Sequence, residues 1–340
     1  MKTTVRFIAC YFIVALAAAL LLAPGLPAPA QQPASEELPN ISVDVDVVNV
    51  LFSVRDKQGR LINTLGRSDF TIEEEGQAQT IKYFSRQTDL PVTLGLLVDT
   101  SVSQGNIIEQ ERMASSQFFM QVLRPRKDQA FLISFDISVD LLQDFTDSPR
   151  LLRSALDKLH VNAEVVGPNP GPLPTTSKPK GTLLYDAAYL AANDMLRGQV
   201  GRKAIVLLTD GNDFGSQLNL KQAIEAAQKS DVIIYGVLYV DRGFYQRRGG
   251  YGMIGGFGGG SELKKMCEET GGRMFEVSRK MGLREIYDEI QQELRSQYSI
   301  GYTSTSTRAT TFRRIKVLAK DRNLKVQARS GYYPKAATTR

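Results

Sequence analysis

Three short segments of the chain carry hydroxyl and carboxylate oxygens next to apolar runs or helical patterns. They are Asp99-Thr100-Ser101-Val102-Ser103, Gly181-Thr182 and Thr209-Asp210-Gly211. All of their donors are hard oxygens, with no imidazole or thiolate nearby, and such sets suit Mg²⁺, Mn²⁺ or Ca²⁺ and disfavour zinc and copper. Two carboxylates would leave a divalent ion close to neutral. A further anionic oxygen would then be attracted to an open position on the metal.

The pattern around these segments predicts how they are positioned. Four short runs are apolar on both faces, as strands covered by helices must be: Val92–Val98, Ala130–Phe135, Ala204–Leu208 and Val232–Val240. Apolar residues recur at helical spacing between them, as in Leu184, Ala187 and Ala191. We therefore predict a doubly wound, Rossmann-like α/β domain over residues 91–295, with ligands outside the carboxyl ends of its strands. Asp99 and Asp210 each follow such a strand.

Strands with two-fold alternation flank this domain on both sides, as in Val50, Phe52 and Val54 before it and Ile300 and Tyr302 after it. The parity of the alternation changes near residue 47, which predicts a bulge or register change there. A small sheet needs a partner face to bury. Residues 41–90 and 296–334 are therefore predicted to form one small β-sandwich into which the α/β domain is inserted.

Taken together, the three oxygen-bearing segments resemble the metal-ion-dependent adhesion site of von Willebrand factor A domains, over roughly residues 91–295. The resemblance implies that Ser101, Ser103 and Thr182 bind a metal through their hydroxyls, while Asp99 and Asp210 act mainly through bridging water. It also implies that a protein partner completes the site with a Glu or Asp side chain, and Mg²⁺ is the expected ion.

Segments outside the domain extend the resemblance. DKQGRLINTLGRSDFTIEEEGQAQTIKYF before it and LRSQYSIGY after it are similar to an exported bacterial group called von Willebrand factor A-related. The alternative to metal binding is structural: Asp99 and Ser101 would cap the first helix, and Asp210 would stabilise a turn.

Residues 1–30 have the pattern of a secretory signal, with Lys2 and Arg6 before an apolar run and Ala28-Pro29-Ala30 at its end. Cleavage is expected near Ala30, because the prolines around it break a helix. Residues 31–40 would then be a linker and residues 335–340 a tail. The alternative is an uncleaved anchor, since the apolar run is only slightly shorter than the roughly 20 residues that span a bilayer. We expect a protein of the periplasm or cell surface, or a secreted one.

Composition excludes several classes of function. A formal net charge of +6 at pH 7 is too mild and too evenly spread to predict nucleic-acid binding. Cys267 is the one cysteine beyond the predicted signal, so the exported fold is expected to hold without disulfides. With His160 as its single histidine, the chain has no Ser-His-Asp triad, and it has neither a GxSxG elbow nor a Walker loop.

These observations predict a non-enzymatic module that binds a protein ligand through a metal, with peripheral association to the envelope left open. The first alternative is a structural scaffold of the cell envelope whose site recognises nothing. A third reading is an enzyme that uses the metal hydrolytically. Two loops, 161–181 and 242–260, either shape the binding face or only fill gaps between elements.

Overall fold

The computed structural model describes residues 47–87, 89–161, 181–241, 259–305 and 312–334. The predicted signal, the linker, the alternation before residue 47 and the tail lie outside the described residues. The same is true of most of the loops 161–181 and 242–260. The described residues all belong to one compact unit, Val45–Arg340. None of their helices is both long enough and apolar enough to cross a bilayer.

The described residues form strands and helices in an order that alternates only in the middle of the chain. The strands are β1 (Val47–Arg55), β2 (Phe70–Glu74), β3 (Gln77–Gln79), β4 (Tyr83–Gln87), β5 (Val92–Asp99), β6 (Gln129–Phe135), β7 (Val139–Thr146), β8 (Arg202–Thr209), β9 (Val232–Leu238), β10 (Met274–Glu276), β11 (Gln297–Thr303), β12 (Arg313–Ala319), β13 (Lys325–Ala328) and β14 (Gly331–Tyr332). The helices are α1 (Ile108–Val122), α2 (Pro149–Leu156), α3 (Leu184–Leu190), α4 (Leu220–Lys229), α5 (Gly259–Thr270) and α6 (Leu283–Arg295).

A six-stranded sheet forms the centre of the α/β part within the described residues, in the order β10-β9-β8-β5-β6-β7. Its strands are parallel except for β7, which pairs antiparallel with β6 at one edge. The strand order reverses between β5 and β8, and this is the point at which doubly wound sheets bind ligands. The α/β fold predicted from the sequence is confirmed.

Helices cover both faces of this sheet because its strands are apolar on both sides. One face packs against α1, α2 and α6, where the rings of Phe118 and Tyr287 stack with their centroids 4.4 Å apart. The other face packs against α3, α4 and α5 and includes the buried Cys267. Helix α3 continues into one π-helical segment, Ala191–Leu196. The sheet is therefore packed between two apolar cores, one on each face, and these cores position its strand ends.

The flanking segments form the β-sandwich that their alternation predicts. One sheet has the order β13-β1-β11-β4 and the other β14-β12-β2-β3, as far as the chain is described. Side chains from both sheets meet in one core, where Phe52 lies between Phe70 at 5.0 Å and Tyr298 at 5.4 Å, measured between ring centroids. Only Ser296 separates α6 from β11, so the chain passes directly from the α/β part into the sandwich.

Candidate functional site

Asp99 and Asp210 lie at the ends of neighbouring parallel strands. Asp99 is the last residue of β5, and Asp210 directly follows β8. Both are buried, with exposed fractions of 0% and 6%. The hydroxyl of Thr209 donates a hydrogen bond of 2.6 Å to Oδ2 of Asp99 and ties the two strand ends together. The sheet thus places the two predicted carboxylates at its switch point.

The turn after Asp99 brings two predicted hydroxyls together. The backbone N–H of Ser101 donates to Oδ1 of Asp99 at 2.9 Å, and the Oγ atoms of Ser101 and Ser103 lie 3.0 Å apart. A short 3₁₀ turn over 102–104 follows, closed by the N–H of Gln104 on the carbonyl of Ser101. The side chain of Gln104 also donates to Oγ of Ser103 at 3.2 Å. The sequence Asp-x-Ser-x-Ser therefore clusters its oxygens locally.

Thr182 is held next to both of these segments by hydrogen bonds of its own loop. Its carbonyl accepts the N–H of Phe214, which belongs to the loop after β8, at 3.0 Å. The next residue, Leu183, donates to the carbonyl of Asp136 at 2.8 Å, and Oδ2 of Asp136 accepts the hydroxyl of Thr100 at 3.2 Å. The structure brings the loops of all five predicted residues to one edge of the sheet. Their role as ligands stays a prediction.

The loop that carries Asp210 needs a glycine at its next position. Gly211 has a φ of +84°, and a Cβ there would lie 2.7 Å from the backbone of Gly259 at the start of α5. Both the side-chain amide and the backbone N–H of Asn212 donate to Oδ1 of Asp210 at 3.1 Å. The Asp-Gly-Asn sequence therefore fixes Asp210 by a close approach of backbones and by local hydrogen bonds.

Acidic side chains at this edge repel one another when they are ionised. Burial raises the pKa of Asp99 to about 7, and the charge of Asp210 adds to that rise. Burial also raises the pKa of Glu111 well above its usual range, with further contributions from the charges of Asp99 and Asp210. Glu111 belongs to the first turn of α1, and the sequence pattern did not indicate it as part of the site. A divalent cation would relieve the repulsion among these groups.

The donors present fit a hard divalent cation. Within the described ranges, no group of three or more His, Cys, Asp or Glu side chains is arranged to hold a metal ion. A cation at this edge would therefore depend on hydroxyl oxygens besides the carboxylates of Asp99 and Asp210. The hydroxyls of Ser101 and Ser103 lie at this edge, and the loop of Thr182 reaches it, whereas the hydroxyl of Thr209 is already donated to Asp99. This mixture of carboxylates and neutral oxygens suits Mg²⁺, Mn²⁺ or Ca²⁺.

Two exposed apolar side chains lie on the loops that hold Thr182. Phe214 is 66% exposed and Ile137 is 54% exposed. Phe214 belongs to the loop after β8, and Ile137 follows Asp136 in the turn after β6. Their loops are anchored on either side of Thr182 by the hydrogen bonds described above. We call Phe214 and Ile137 the apolar rim; sequence reasoning missed both, because exposure of a single loop residue leaves no periodic signal.

No protein-family model and no curated protein sequence matches the chain. Solved structures do match it. One is a von Willebrand factor type A protein from Catenulispora acidiphila, with 12% identity and a TM-score of 0.45, over 77% of this chain and 73% of that one.

Two other solved structures show the same likeness. Proximal thread matrix protein 1 from the mussel byssus, solved with a zinc-occupied MIDAS motif, is 14% identical with a TM-score of 0.46. The match covers 65% of this chain and 49% of the mussel protein, so the chain spans about half the length of that protein. BatB from Bacteroides thetaiotaomicron is 17% identical with a TM-score of 0.40, over 61% of this chain and 97% of that one.

Proposed function

We propose that the protein is an exported, non-enzymatic module that binds a protein ligand through a divalent cation, with Mg²⁺ as the first candidate. The residues that would hold the cation are Asp99, Ser101, Ser103, Thr182 and Asp210. Export follows from the signal pattern of residues 1–30 and places the module in the periplasm, on the cell surface or outside the cell.

One observation carries this proposal. Asp99 and Asp210 are buried side by side at the switch point of the sheet, and their mutual repulsion with burial raises the pKa of Asp99 to about 7. Two carboxylates buried close together destabilise a fold unless a positive charge compensates them, because a buried charge needs a partner. The hydroxyl pair of Ser101 and Ser103, with its oxygens 3.0 Å apart, is next to them. A cation would satisfy both features at once.

Hydrogen bonds within the chain orient the two carboxylates of the site. The hydrogen bonds from Thr209 and from the backbone of Ser101 fix both oxygens of Asp99, so that its orientation is set before a cation arrives. Both local bonds of Asn212 go to Oδ1 of Asp210 and hold that one oxygen. A bound divalent cation would supply a Lewis-acidic centre with an attraction for one further carboxylate.

The apolar rim supports a protein as the ligand. Phe214 and Ile137 present exposed apolar surface at the edge where the cation would bind. A peptide segment with an acidic residue next to apolar residues would place its carboxylate on the cation and its apolar side chains against the rim. Aromatic side chains that become buried on binding contribute strongly to affinity.

The experiment has two stages. Calorimetric titration of the purified protein with MgCl₂ is expected to show binding, and the isosteric variant Asp99→Asn is expected to lose it. Capture from an envelope extract is then compared in Mg²⁺ and in EDTA. Phe214→Ala should weaken capture, whereas Val200→Ala should not, because Val200 is 81% exposed at the opposite end of β8.

Three results would contradict the proposal. Absence of Mg²⁺, Mn²⁺ and Ca²⁺ binding by the unaltered protein would refute the cation site. Capture that is the same in EDTA and in Asp99→Asn would favour an envelope scaffold. Turnover of phosphoester or peptide substrates that disappears in Asp99→Asn would favour an enzyme.

A further inference from the structure

Glu111 is a buried carboxylate for which the five predicted ligands leave no role. It lies in the first turn of α1 and has an exposed fraction of 0%. Neither of its carboxylate oxygens has a hydrogen-bond partner within the part of the chain that the structure describes. A helix surface offers many solvated positions for a glutamate, so full burial without a partner requires a reason.

The position of Glu111 relates it to the candidate cation site. The backbone N–H of Glu111 donates to the carbonyl of Ile107 at 3.0 Å, and the N–H of Ile107 donates to the carbonyl of Gln104 at 2.9 Å, so Glu111 is linked directly to the turn that carries Ser103. Burial raises the pKa of Glu111 well above its usual range, and the charges of Asp99 and Asp210 add to that rise. Burial raises the pKa of Tyr287, and the charge of Glu111 adds to that rise; the hydroxyl of Tyr287 is bonded to that of Ser115, also on α1, at 2.9 Å. Glu111 therefore lies in the first helical turn after the 3₁₀ turn that carries Ser103 and Gln104.

A second unpartnered acceptor lies in the same region. Gln104 is fully buried, and its side-chain nitrogen donates to Oγ of Ser103, a predicted ligand. Its side-chain oxygen has no partner among the described residues. Glu111 and Gln104 together thus present three buried acceptor oxygens behind the site. Donors for such oxygens must come from something other than the described side chains, and ordered water is the usual source.

Protonation of Glu111 does not supply the hydrogen-bond partners that its two oxygens lack. A neutral carboxyl group needs an acceptor for its proton and donors for its other oxygen, and neither oxygen has a partner among the described residues. Direct coordination by all three carboxyls does not remove it either, because they are not arranged to share one ion. Water between Glu111 and the cation would meet both requirements.

We propose that Glu111 is a positioning residue of the cation site, which accepts hydrogen bonds from water that bridges its carboxylate to the divalent ion. Gln104 supplies a second acceptor for the same water. This inference rests on the proposed function, since it assumes a cation held by Asp99 and Asp210. A bound divalent cation would favour the ionised form of Glu111 against the burial that raises its pKa, and the charge of that form would strengthen the attraction for the ion.

The test compares Glu111→Gln with Glu109→Gln. Glu109 is in the same turn of α1, but its side chain is 63% exposed and pairs with Arg112 at 2.6 Å. Calorimetric titration with MgCl₂ is expected to show affinity weakened about tenfold or more in Glu111→Gln, as is usual when an outer hydrogen-bond partner of a metal site is lost. In Glu109→Gln the change should stay below about twofold, because solvent screens an exposed charge.

A spectroscopic measurement distinguishes an effect of Glu111 on the bound cation from an effect on packing alone. The electron paramagnetic resonance spectrum of Mn²⁺ bound to the protein is expected to change in Glu111→Gln and to stay the same in Glu109→Gln. Glu111→Leu is a second variant with similar volume, and its melting temperature in EDTA should equal or exceed that of the unaltered protein. It replaces Glu111→Gln in the titration if that variant does not fold.

The two possible failures are distinguishable. If the unaltered protein binds Mg²⁺ and both Glu111 variants bind it equally well, the role of Glu111 is refuted and the proposed function stands. If the unaltered protein binds none of the tested divalent ions, the proposed function fails and the inference fails with it.

Discussion

The hydroxyl of Thr209 donates to Oδ2 of Asp99 across 2.6 Å, and its oxygen accepts the backbone N–H of Gly211 at 3.0 Å. One side chain at the end of β8 therefore fixes a carboxylate on β5 and the turn that carries Asp210. Thr209 is itself fully buried, so neither bond competes with solvent.

Replacing Thr209 with valine keeps the shape of the side chain and removes both hydrogen bonds. We expect Thr209→Val to lower the free energy of unfolding by about 2 kcal/mol, since a hydrogen bond to a charged group is lost in a buried setting. Mg²⁺ affinity should fall as well, because Asp99 loses its fixed orientation. Urea denaturation and calorimetric titration measure the two effects. Thr209→Ser keeps the hydroxyl and serves as the control; equal losses in both variants would show that the methyl group matters instead.

Asp99 makes the stability of the cation-free protein depend on pH. Its pKa is about 7 in the folded protein and 3.8 in the absence of structure. Between these values the unfolded chain is ionised while the folded one keeps its proton, so folding stability falls as pH rises from about 4 to about 7. Above pH 7 the loss is complete and amounts to a few kcal/mol, since each pH unit between the two pKa values contributes about 1.4 kcal/mol.

Asp99→Asn tests this pH dependence. In EDTA the variant is expected to become increasingly more stable than the unaltered protein from pH 4 to pH 7, with a constant difference above that range. In Mg²⁺ the order should reverse at pH 8, because only the aspartate gains from the cation. Thermal denaturation at a series of pH values measures both. A stability difference that does not change with pH would contradict the raised pKa of Asp99.

The turn after β8 can be tested at Gly211, with Gly59 in the turn after β1 as a matched control. Their φ angles are +84° and +82°, but a Cβ at Gly211 would meet the backbone of Gly259, whereas a Cβ at Gly59 would meet nothing within 4 Å. Both alanine variants bear the strain of a left-handed conformation, about 1–2 kcal/mol. We expect Gly211→Ala to cost about 1–3 kcal/mol more through overpacking, and to weaken Mg²⁺ binding. Similar melting temperatures for the two variants would mean that the close approach to α5 is unimportant.

The sequence predicted the central strands and missed the edges of the same sheet. Strands β5, β6, β8 and β9 are apolar on both faces, and that pattern is strong enough to read without a structure. Strand β7 lies at the edge, is partly exposed along its length and carries Asp140 and Asp144, so it shows neither an apolar run nor clear alternation. Strand β10 has three residues, too few for any periodic signal.

The candidate site was predictable where it follows from strand ends. Asp99 and Asp210 were located by that rule, and Asp136, which directly follows β6, could have been found by it too. Glu111 could not have been found in this way. Its neighbours Gln110 and Arg112 are polar, so it reads as part of a solvated helix face, and only the packing of α1 on the sheet reveals its burial.

Glu293 connects α6 to the sandwich through a buried network. It is fully buried, and its carboxylate accepts hydrogen bonds from Ser53 at 3.1 Å and Arg55 at 2.6 Å, both on β1. Tyr235 of β9 donates to the same carboxylate at 3.3 Å, and Arg273 pairs with it at 3.3 Å. One charge thus holds together residues from the sandwich, the central sheet and the last helix.

Glu293→Gln is expected to lower the free energy of unfolding by about 1.5–3 kcal/mol, because the buried hydrogen bonds to its charge are weakened while Arg55 and Arg273 keep Glu289 as a partner. Glu268→Gln is the control, since Glu268 pairs with Lys264 at 3.8 Å on α5, both side chains are more than half exposed, and the change should cost about 0.5 kcal/mol or less. Denaturation in urea, followed by circular dichroism, measures both. A loss in Glu293→Gln as small as that of the control would show that the sandwich and the α/β part are held together by apolar packing alone.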